Sequence, residues 1–147
     1  MPEVAVVERV LPALCDVVYD EWLSAESLTE WMCPRPARLR GVELDPVVGG
    51  SYRFDIIEDG KQMIVVGTYL TLDRPHTVRF TWSCSTWADP TQQSIVTVEL
   101  RPLGENETHM TIRHEILPPG TLVNHLEGWR LIADQLAGSL SERSSTG

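Results

Sequence analysis

Apolar and polar residues alternate with a period of two through the middle of the chain, from about residue 37 to residue 115. The alternation is clearest in TVRFTWS (77–83), SIVTVELR (94–101) and ETHMTIRHE (107–115). This period places every second side chain on the same face of a β-strand. Turn sequences such as Glu58-Asp59-Gly60 separate the segments, so the sequence predicts six consecutive antiparallel strands in this region.

The residues before this region predict one strand and two short helices. Residues 3–10 (EVAVVERV) are Val-rich, which is typical of a strand. Pro12 opens a segment with apolar residues spaced by four, and Ser24 is expected to cap the N-terminus of a second helix, which ends at Pro34. The apolar faces of these helices are Leu14, Val18 and Trp22 in the first, and Leu28, Trp31 and Met32 in the second.

A long amphipathic helix is predicted from about residue 121 to residue 140, with Thr121 as its N-cap. Its apolar stripe consists of Leu122, Leu126, Trp129, Ala133, Leu136 and Leu140, and its polar face of Glu127, Arg130, Asp134 and Gln135. Residues 141–147 are expected to be a frayed tail. One long helix that covers one face of a curved antiparallel sheet is an α+β arrangement, and we expect residues 1–147 to form a single domain of this class.

Gly128 lies inside this helix, where glycine costs about 1 kcal/mol relative to alanine. Two explanations are open: the glycine lets the helix approach a neighbouring element while Trp129 projects beneath it, or it is merely tolerated near the first turns. Close approach is the favoured interpretation, because a glycine inside a helix usually has a packing reason. It predicts that Gly128→Leu destabilises the protein by about 1–3 kcal/mol.

Charge and cysteine usage exclude several classes of protein. The formal net charge is −9 and no Lys/Arg cluster is present, so binding to nucleic acid or to anionic membranes is not expected. No segment approaches the ~20 apolar residues of a membrane span, and the N-terminus lacks the pattern of a signal peptide. The three cysteines have no CxxC spacing, which indicates reduced thiols in a cytoplasmic protein.

Six segments spread over almost the whole chain carry a family resemblance. They are LTEWM (28–32) with Pro34 and Pro36, GGSYRF (49–54), Gly67-x-Tyr69, RPHTVRFTW (74–82), the strand ending in His114, and H-x-x-G-W (125–129) with Leu136 beyond it. In this order and spacing they resemble the activator of heat-shock protein 90 ATPase homologue family. That family belongs to the START/polyketide-cyclase-like superfamily. The resemblance implies the helix-grip fold, in which a curved sheet wraps the C-terminal helix and encloses a cavity for an apolar ligand.

The strand phases indicate which side chains would line such a cavity. The inward positions are Tyr52, Phe54 and Ile56, then Val78, Phe80 and Trp82, then Val96, Val98 and Leu100, and finally Met110, Ile112 and His114. For the aliphatic residues a plain core role is favoured, whereas for the aromatic residues core and ligand contact are equally supported. The candidate ligand-binding residues are Trp31, Tyr52, Phe54, Phe80, Trp82, Met110, His114, His125 and Trp129.

His114 is the main polar candidate, and its interpretation has two forms. Its imidazole could exchange one hydrogen bond with a ligand, or it could bind a backbone carbonyl near the sheet edge, which is slightly favoured. His125 is predicted at one end of the cavity or in solvent. If Trp31, Phe54, Trp82 and Trp129 contact one shared cavity, a ligand should perturb tryptophan fluorescence and raise the melting temperature.

Motifs for catalysis or metal binding do not stand out. The sequence has no GxSxG, HExxH or P-loop pattern, and His109 and His114 are five residues apart on a strand and therefore face opposite sides. No catalytic residue, metal or cofactor is predicted. The leading hypothesis is non-enzymatic binding of a small hydrophobic or aromatic ligand. The alternatives, implied by the resemblance, are a chaperone ATPase-activating partner and a cyclase/aromatase-type enzyme, and homodimer formation stays open.

The chaperone alternative ranks behind ligand binding for a reason of length. In the family that the chain resembles, the founding eukaryotic proteins carry an additional N-terminal domain that makes much of the chaperone contact. A chain of 147 residues is expected to have no room for that domain.

Overall fold

The computed structural model describes the backbone of residues 3–146 and the side chains of residues 3–143. In chain order its elements are β1 (Glu3–Leu11), α1 (Cys15–Trp22), α2 (Ala25–Trp31), β2 (Arg38–Leu44), β3 (Ser51–Glu58), β4 (Lys61–Asp73), β5 (Thr77–Cys84), β6 (Ser94–Leu103), β7 (Glu107–Leu117) and α3 (Leu122–Thr146). No helix among the described residues is long and apolar enough to cross a membrane.

The seven strands form one antiparallel sheet in the order β1-β7-β6-β5-β4-β3-β2. Irregularities in strand register occur between Glu3 and Ala5, between Leu39 and Gly41, and between Tyr69 and Thr71. Such bulges bend a strand and increase its twist, which helps the sheet to curve around a helix. The α+β class, the strand count and the two short helices after the first strand are confirmed.

The predicted inward positions align across neighbouring strands. Phe80 pairs with Val96, and Val96 pairs with His114, so the three side chains form one row across β5, β6 and β7. All of the predicted inward residues are buried except Trp82, which is half-buried. On α3 the last four residues of the apolar stripe, from Trp129 onward, are buried, while Leu122 and Leu126 are half-buried.

The last helix extends beyond residue 140, where its predicted apolar stripe ends. The helix α3 continues to Thr146. Arg143, which lies in this extension, forms ion pairs with Glu21 at the end of α1 and Glu30 in α2. A positively charged side chain near the C-terminal end of a helix also interacts favourably with the helix dipole. These contacts give the last turns of the helix a tertiary partner.

Gln135 was assigned to the polar face of the last helix, yet it is half-buried and joins two elements. Its Nε2 donates to the backbone carbonyls of Trp31 at 3.0 Å and Cys33 at 2.6 Å, and its Oε1 accepts from the backbone N–H of Arg35 at 3.0 Å. The amide thus satisfies backbone groups that the end of α2 leaves without helical partners. Periodicity alone does not reveal this role.

The close-approach interpretation of Gly128 is wrong. A Cβ atom built on Gly128 would lie 3.7 Å from Cγ of Pro34, which is ordinary van der Waals contact. The helix could therefore carry a methyl group here without moving, and the glycine is not needed for the approach of α3 to its neighbour. The loss of stability expected for Gly128→Leu stays a prediction. It now depends on a clash of the leucine side chain with the Pro34 ring.

Gly128→Ala should accordingly stabilise the protein by up to about 1 kcal/mol, because alanine has the higher helix propensity and its methyl group has room. Chemical denaturation of the variant and the parent protein measures the difference. Gly138→Ala is the matched control, since a Cβ at this second glycine of α3 meets nothing within 4 Å. A loss of stability in Gly128→Ala alone would restore the close-approach explanation.

Candidate functional site

His114 lies at the centre of a chain of buried hydrogen bonds. The Trp129 Nε1–H donates to His114 Nδ1 at 3.0 Å, which makes Nδ1 the acceptor nitrogen of the ring. His114 Nε2 therefore carries the proton and donates to Ser94 Oγ at 2.6 Å, and the Ser94 hydroxyl donates to the Trp82 carbonyl at 3.0 Å. The predicted backbone partner is thus reached through Ser94, and α3 is joined to β7, β6 and β5.

Burial keeps the His114 ring neutral. The side chain is fully buried, and desolvation, followed by the proximity of His125, lowers the pKa of His114 to about 3. A neutral imidazole is also what the network requires, because protonation of Nδ1 would place two donors opposite each other at the Trp129 contact. His114 therefore stays uncharged throughout the physiological pH range.

His125 stands at the partly exposed end of this network. Its ring contacts His114 edge to face at 4.9 Å and the half-buried Trp87 at 6.0 Å between centroids. Its Nδ1 donates to the Thr121 carbonyl at 2.8 Å. Burial lowers the pKa of His125, and the bond to Thr121 opposes that shift. Thr121, the predicted N-cap, directly precedes the first residue of α3. Its hydroxyl donates to the Pro118 carbonyl. His125 and Trp87 thus form a rim, half in solvent, beside the buried chain.

Aromatic rings fill the space between the sheet and the helices. We call the following residues the aromatic cluster: Trp22, Trp31, Tyr52, Phe54, Tyr69, Phe80, Trp82 and Trp129. Trp22 is central, with ring centroids at 4.9 Å from Trp31, 6.4 Å from Phe80 and 6.2 Å from Trp129. Trp82 lies 5.4 Å from Trp129 and extends the cluster towards the rim.

Two buried donors in this cluster have no hydrogen-bond partner. They are the indole N–H groups of Trp22 and Trp31, whose side chains are 3% and 0% exposed. The neighbouring Glu21 is also buried, and one of its carboxylate oxygens has no partner, while the other accepts from Ser27 Oγ at 3.0 Å and pairs with Arg143. Unpaired buried polar groups are uncommon in proteins and call for an explanation.

Gly67 permits a close contact at the other end of the cluster. The Tyr52 hydroxyl donates to the Thr81 carbonyl at 2.6 Å, directly beside Gly67. A Cβ atom at residue 67 would lie 2.0 Å from that carbonyl oxygen and 2.6 Å from the Tyr52 hydroxyl. Only glycine fits this position, which explains the Gly67-x-Tyr69 pattern. Burial raises the pKa of Tyr52 well above its usual value, so the phenol stays protonated.

Two depressions lie at the surface, and one of them reaches Tyr52 of the aromatic cluster. One has a volume of about 460 Å³ and is lined by residues of β2, β3 and β4 together with Ser83 and Gln93; the other, of about 450 Å³, lies between Glu30 and the end of α3. Trp31, Phe54, Trp82 and Trp129 line neither of them. These four rings are connected through direct ring contacts, with Trp22 joining Trp31 to Trp129. No group of His, Cys, Asp or Glu suited to a metal occurs among the described residues.

Residues 12–141 match the model of the family described as "Activator of Hsp90 ATPase homolog 1-like protein", AHSA1. The chain belongs to the AHSA1 family. No curated protein sequence matches it. Its fold is similar to a crystal structure from Chromobacterium violaceum (TM-score 0.83, 26% identity, 95% of this chain and 98% of that chain). A solution structure from Arthrobacter aurescens is also similar (TM-score 0.81, 23% identity, 95% and 86%). A Plasmodium falciparum protein described as an Hsp90 activator matches with a TM-score of 0.67 (21% identity, 84% of each chain).

In this member of the AHSA1 family most of the residues proposed from the sequence lie together. Tyr52, Phe54, Phe80, Trp82, His114, His125 and Trp129 are linked by successive ring contacts. Trp31 joins them only through Trp22. Met110 is buried on β7, two residues before Ile112, and pairs with Leu100 of β6. It belongs to the same hydrophobic core as the cluster.

Sequence reasoning did not include three residues of this AHSA1 site: Trp22, Ser94 and Trp87. A signal existed for two of them. Trp22 continues the spacing by four of the first helix, and Ser94 occupies the same inward phase as Val96 and Val98. Trp87 lies in the irregular segment between β5 and β6, where no periodicity indicates a direction.

Proposed function

We propose that this protein binds a small apolar or aromatic molecule within the aromatic cluster beneath α3 and does not transform it. The observation that carries the proposal is a continuous series of ring contacts from the protein interior to its surface. It begins at the fully buried Trp31 and reaches the half-buried Trp82 and Trp87 beside His125. Aromatic walls with few polar groups are typical of small-molecule sites.

Burial along β5 supports entry of the ligand at the rim. Val78 and Phe80 are 1% and 4% exposed, whereas Trp82, in the same inward phase, is accessible in part. Beyond Trp82 the chain leaves the sheet and runs through residues 85–93, an irregular segment with Trp87 at the rim. Segments of this kind open at lower free energy than the core strands. Because the cluster rings touch, binding requires some of them to move apart.

The state of His114 favours a binding protein over a cyclase. Both ring nitrogens are engaged within the protein, by Trp129 and Ser94. A pKa of about 3 also makes the ring a poor proton carrier near pH 7, since general acids and bases work best with a pKa near the operating pH. These features support an organising role for His114. The described contacts add no specific support for chaperone activation.

Thermal unfolding with a panel of two-ring aromatic compounds tests the proposal. Binding should raise the melting temperature by mass action and alter tryptophan fluorescence, because all five tryptophans lie in the cluster or at its rim. Native mass spectrometry of protein purified from its own host would then identify a natural ligand.

Trp87→Ala is the informative variant in this test, and Val48→Ala is its control. The first removes the half-buried ring at the rim and should weaken binding several-fold. The second truncates a side chain that is 65% exposed in the loop between β2 and β3, and should bind as the parent does. If no compound shifts either signal in the parent protein, the aromatic cluster is core and nothing more.

A further inference from the structure

We infer the chemical class of the ligand, an inference that rests on the proposed function. The molecule is neutral, has an apolar or aromatic body, and carries a carbonyl-type oxygen that accepts a hydrogen bond from the indole N–H of Trp22, of Trp31 or of both. A ketone, an ester and an uncharged amide all meet this description. Three observations carry the inference: two donors lack partners, several other polar groups already have partners within the protein, and the local charge is unfavourable for an anion.

The unpartnered donors lie in a region from which water is largely excluded. Trp22 and Trp31 are 3% and 0% exposed, and neither indole N–H has a partner. Their rings meet edge to face, with centroids 4.9 Å apart and an interplanar angle of 75°. In such a pair one N–H can point at the face of the other ring, which is a weak interaction, but the reverse contact cannot form at the same time. At least one strong donor is therefore left for an acceptor.

Several other polar groups of the aromatic cluster and its neighbours have partners within the protein. Tyr52 donates to Thr81, Trp129 donates to His114, and Ser94 donates to Trp82. Both nitrogens of His114 are used in these bonds. Among the described residues of the cluster itself, the buried side-chain atoms without a partner are the indole nitrogens of Trp22 and Trp31, and Glu21 beside them has one unpaired oxygen. The rings of the cluster thus offer donors, and the group on a ligand that complements them is an acceptor.

The charge around these donors selects a neutral acceptor over a carboxylate. Glu21 directly precedes Trp22, and its buried carboxylate would repel a second anion. The nearby cation, Arg143, is held by Glu21 and Glu30. No ring of the aromatic cluster has a cation contact among the described residues, where the one such contact joins Arg74 to Tyr19. An ionised acid would thus be buried without a counter-charge, which is far more costly than burying a ketone.

Comparison of 1-indanone with indane by titration calorimetry tests this inference, because the two molecules have the same rings and differ in one carbonyl group. The wild-type protein should bind 1-indanone about tenfold more tightly than indane, the effect of one well-formed hydrogen bond. Trp22→Phe and Trp31→Phe each keep an aromatic ring and remove an N–H, and at least one of them should reduce the preference to less than about threefold. Val48→Ala, at the exposed side chain in the loop between β2 and β3, should retain the ratio.

A second measurement does not depend on the folding of the variants. In ¹⁵N spectra of the wild-type protein, 1-indanone should move the indole N–H resonance of Trp22 or Trp31 downfield relative to indane. Equal affinity for both compounds, without that shift, would overturn the acceptor inference and leave the proposed binding function standing, with water or a ring face serving the donors. Binding of neither compound would overturn the acceptor inference and count against the binding function, which the wider panel then decides.

Discussion

Gly67→Ala should lower the free energy of unfolding by about 3 kcal/mol or more, a large effect for a single methyl group. The added Cβ would lie 2.0 Å from the carbonyl oxygen of Thr81, which belongs to the backbone of β5 and cannot rotate away. It would also lie 2.6 Å from the Tyr52 hydroxyl and would displace it from that carbonyl. The variant would therefore combine a steric clash with a buried Tyr52 hydroxyl that has lost its acceptor.

Urea denaturation of the variant and of the parent protein measures this loss. Gly41→Ala is the matched control, because Gly41 lies in β2 of the same sheet and a Cβ there comes no closer than 3.7 Å to another atom. We expect the control to differ little from the parent. Similar small effects from both substitutions would show that β4 and β5 can separate at Gly67 at little cost, contrary to the packing described here.

Lowering the pH from 6.5 to 4 should remove about 3 kcal/mol of stability through His114 alone. Burial depresses the pKa of this side chain to about 3 in the folded protein, while the unfolded chain has an ordinary histidine that titrates near pH 6.5. Between these two values the unfolded state binds the additional proton. The contribution of the neutral ring is thus complete above the unfolded pKa and is lost as the pH falls towards the folded pKa.

The free energy of unfolding as a function of pH, compared between the parent protein and His114→Gln, isolates this contribution from that of the carboxylates. The glutamine variant should be less stable at pH 7, because it replaces a ring that fits the Trp129 and Ser94 contacts, yet its curve should be flatter between pH 6.5 and 4. His76→Gln, which makes the same substitution at an exposed position, is the control for the change of residue type. Parallel curves for His114→Gln and the parent would mean that His114 does not account for the pH dependence.

The sheet and the main contacts of the last helix could be predicted because their signals are local and repeated. Residues 107–115 place Met110, Ile112 and His114 on one face by alternation alone, and all three are buried. The family resemblance agreed with this pattern. The ends of the elements depended on distant residues instead. Nothing in residues 141–147 indicates that Arg143 meets Glu21 and Glu30, which are more than 100 positions away.

The candidate site was predicted in its composition and only partly in its connections. Period two placed His114 inside, but its hydrogen-bond partners come from two other elements, so neither Trp129 nor Ser94 could be named in advance as its partner. The helical spacing predicts Trp22 as a core residue of the first helix. Its central position is evident only from the structure, in which its ring contacts both Trp31 and Phe80.

The two glycines show where the division between sequence and structure falls. Sequence alone identified Gly128 as unusual, because an α-helix has a known cost for glycine at any interior position. It could not identify Gly67 as a glycine that the fold requires, since the clash there involves the backbone of Thr81 in another strand. Strand alternation and helical spacing depend on residues that are close together in the chain, and net charge depends on composition. The sequence itself therefore determines all three. Which atoms meet across the interior, and therefore which donors remain without a partner at Trp22 and Trp31, was decided only when the sheet curved and α3 closed over it.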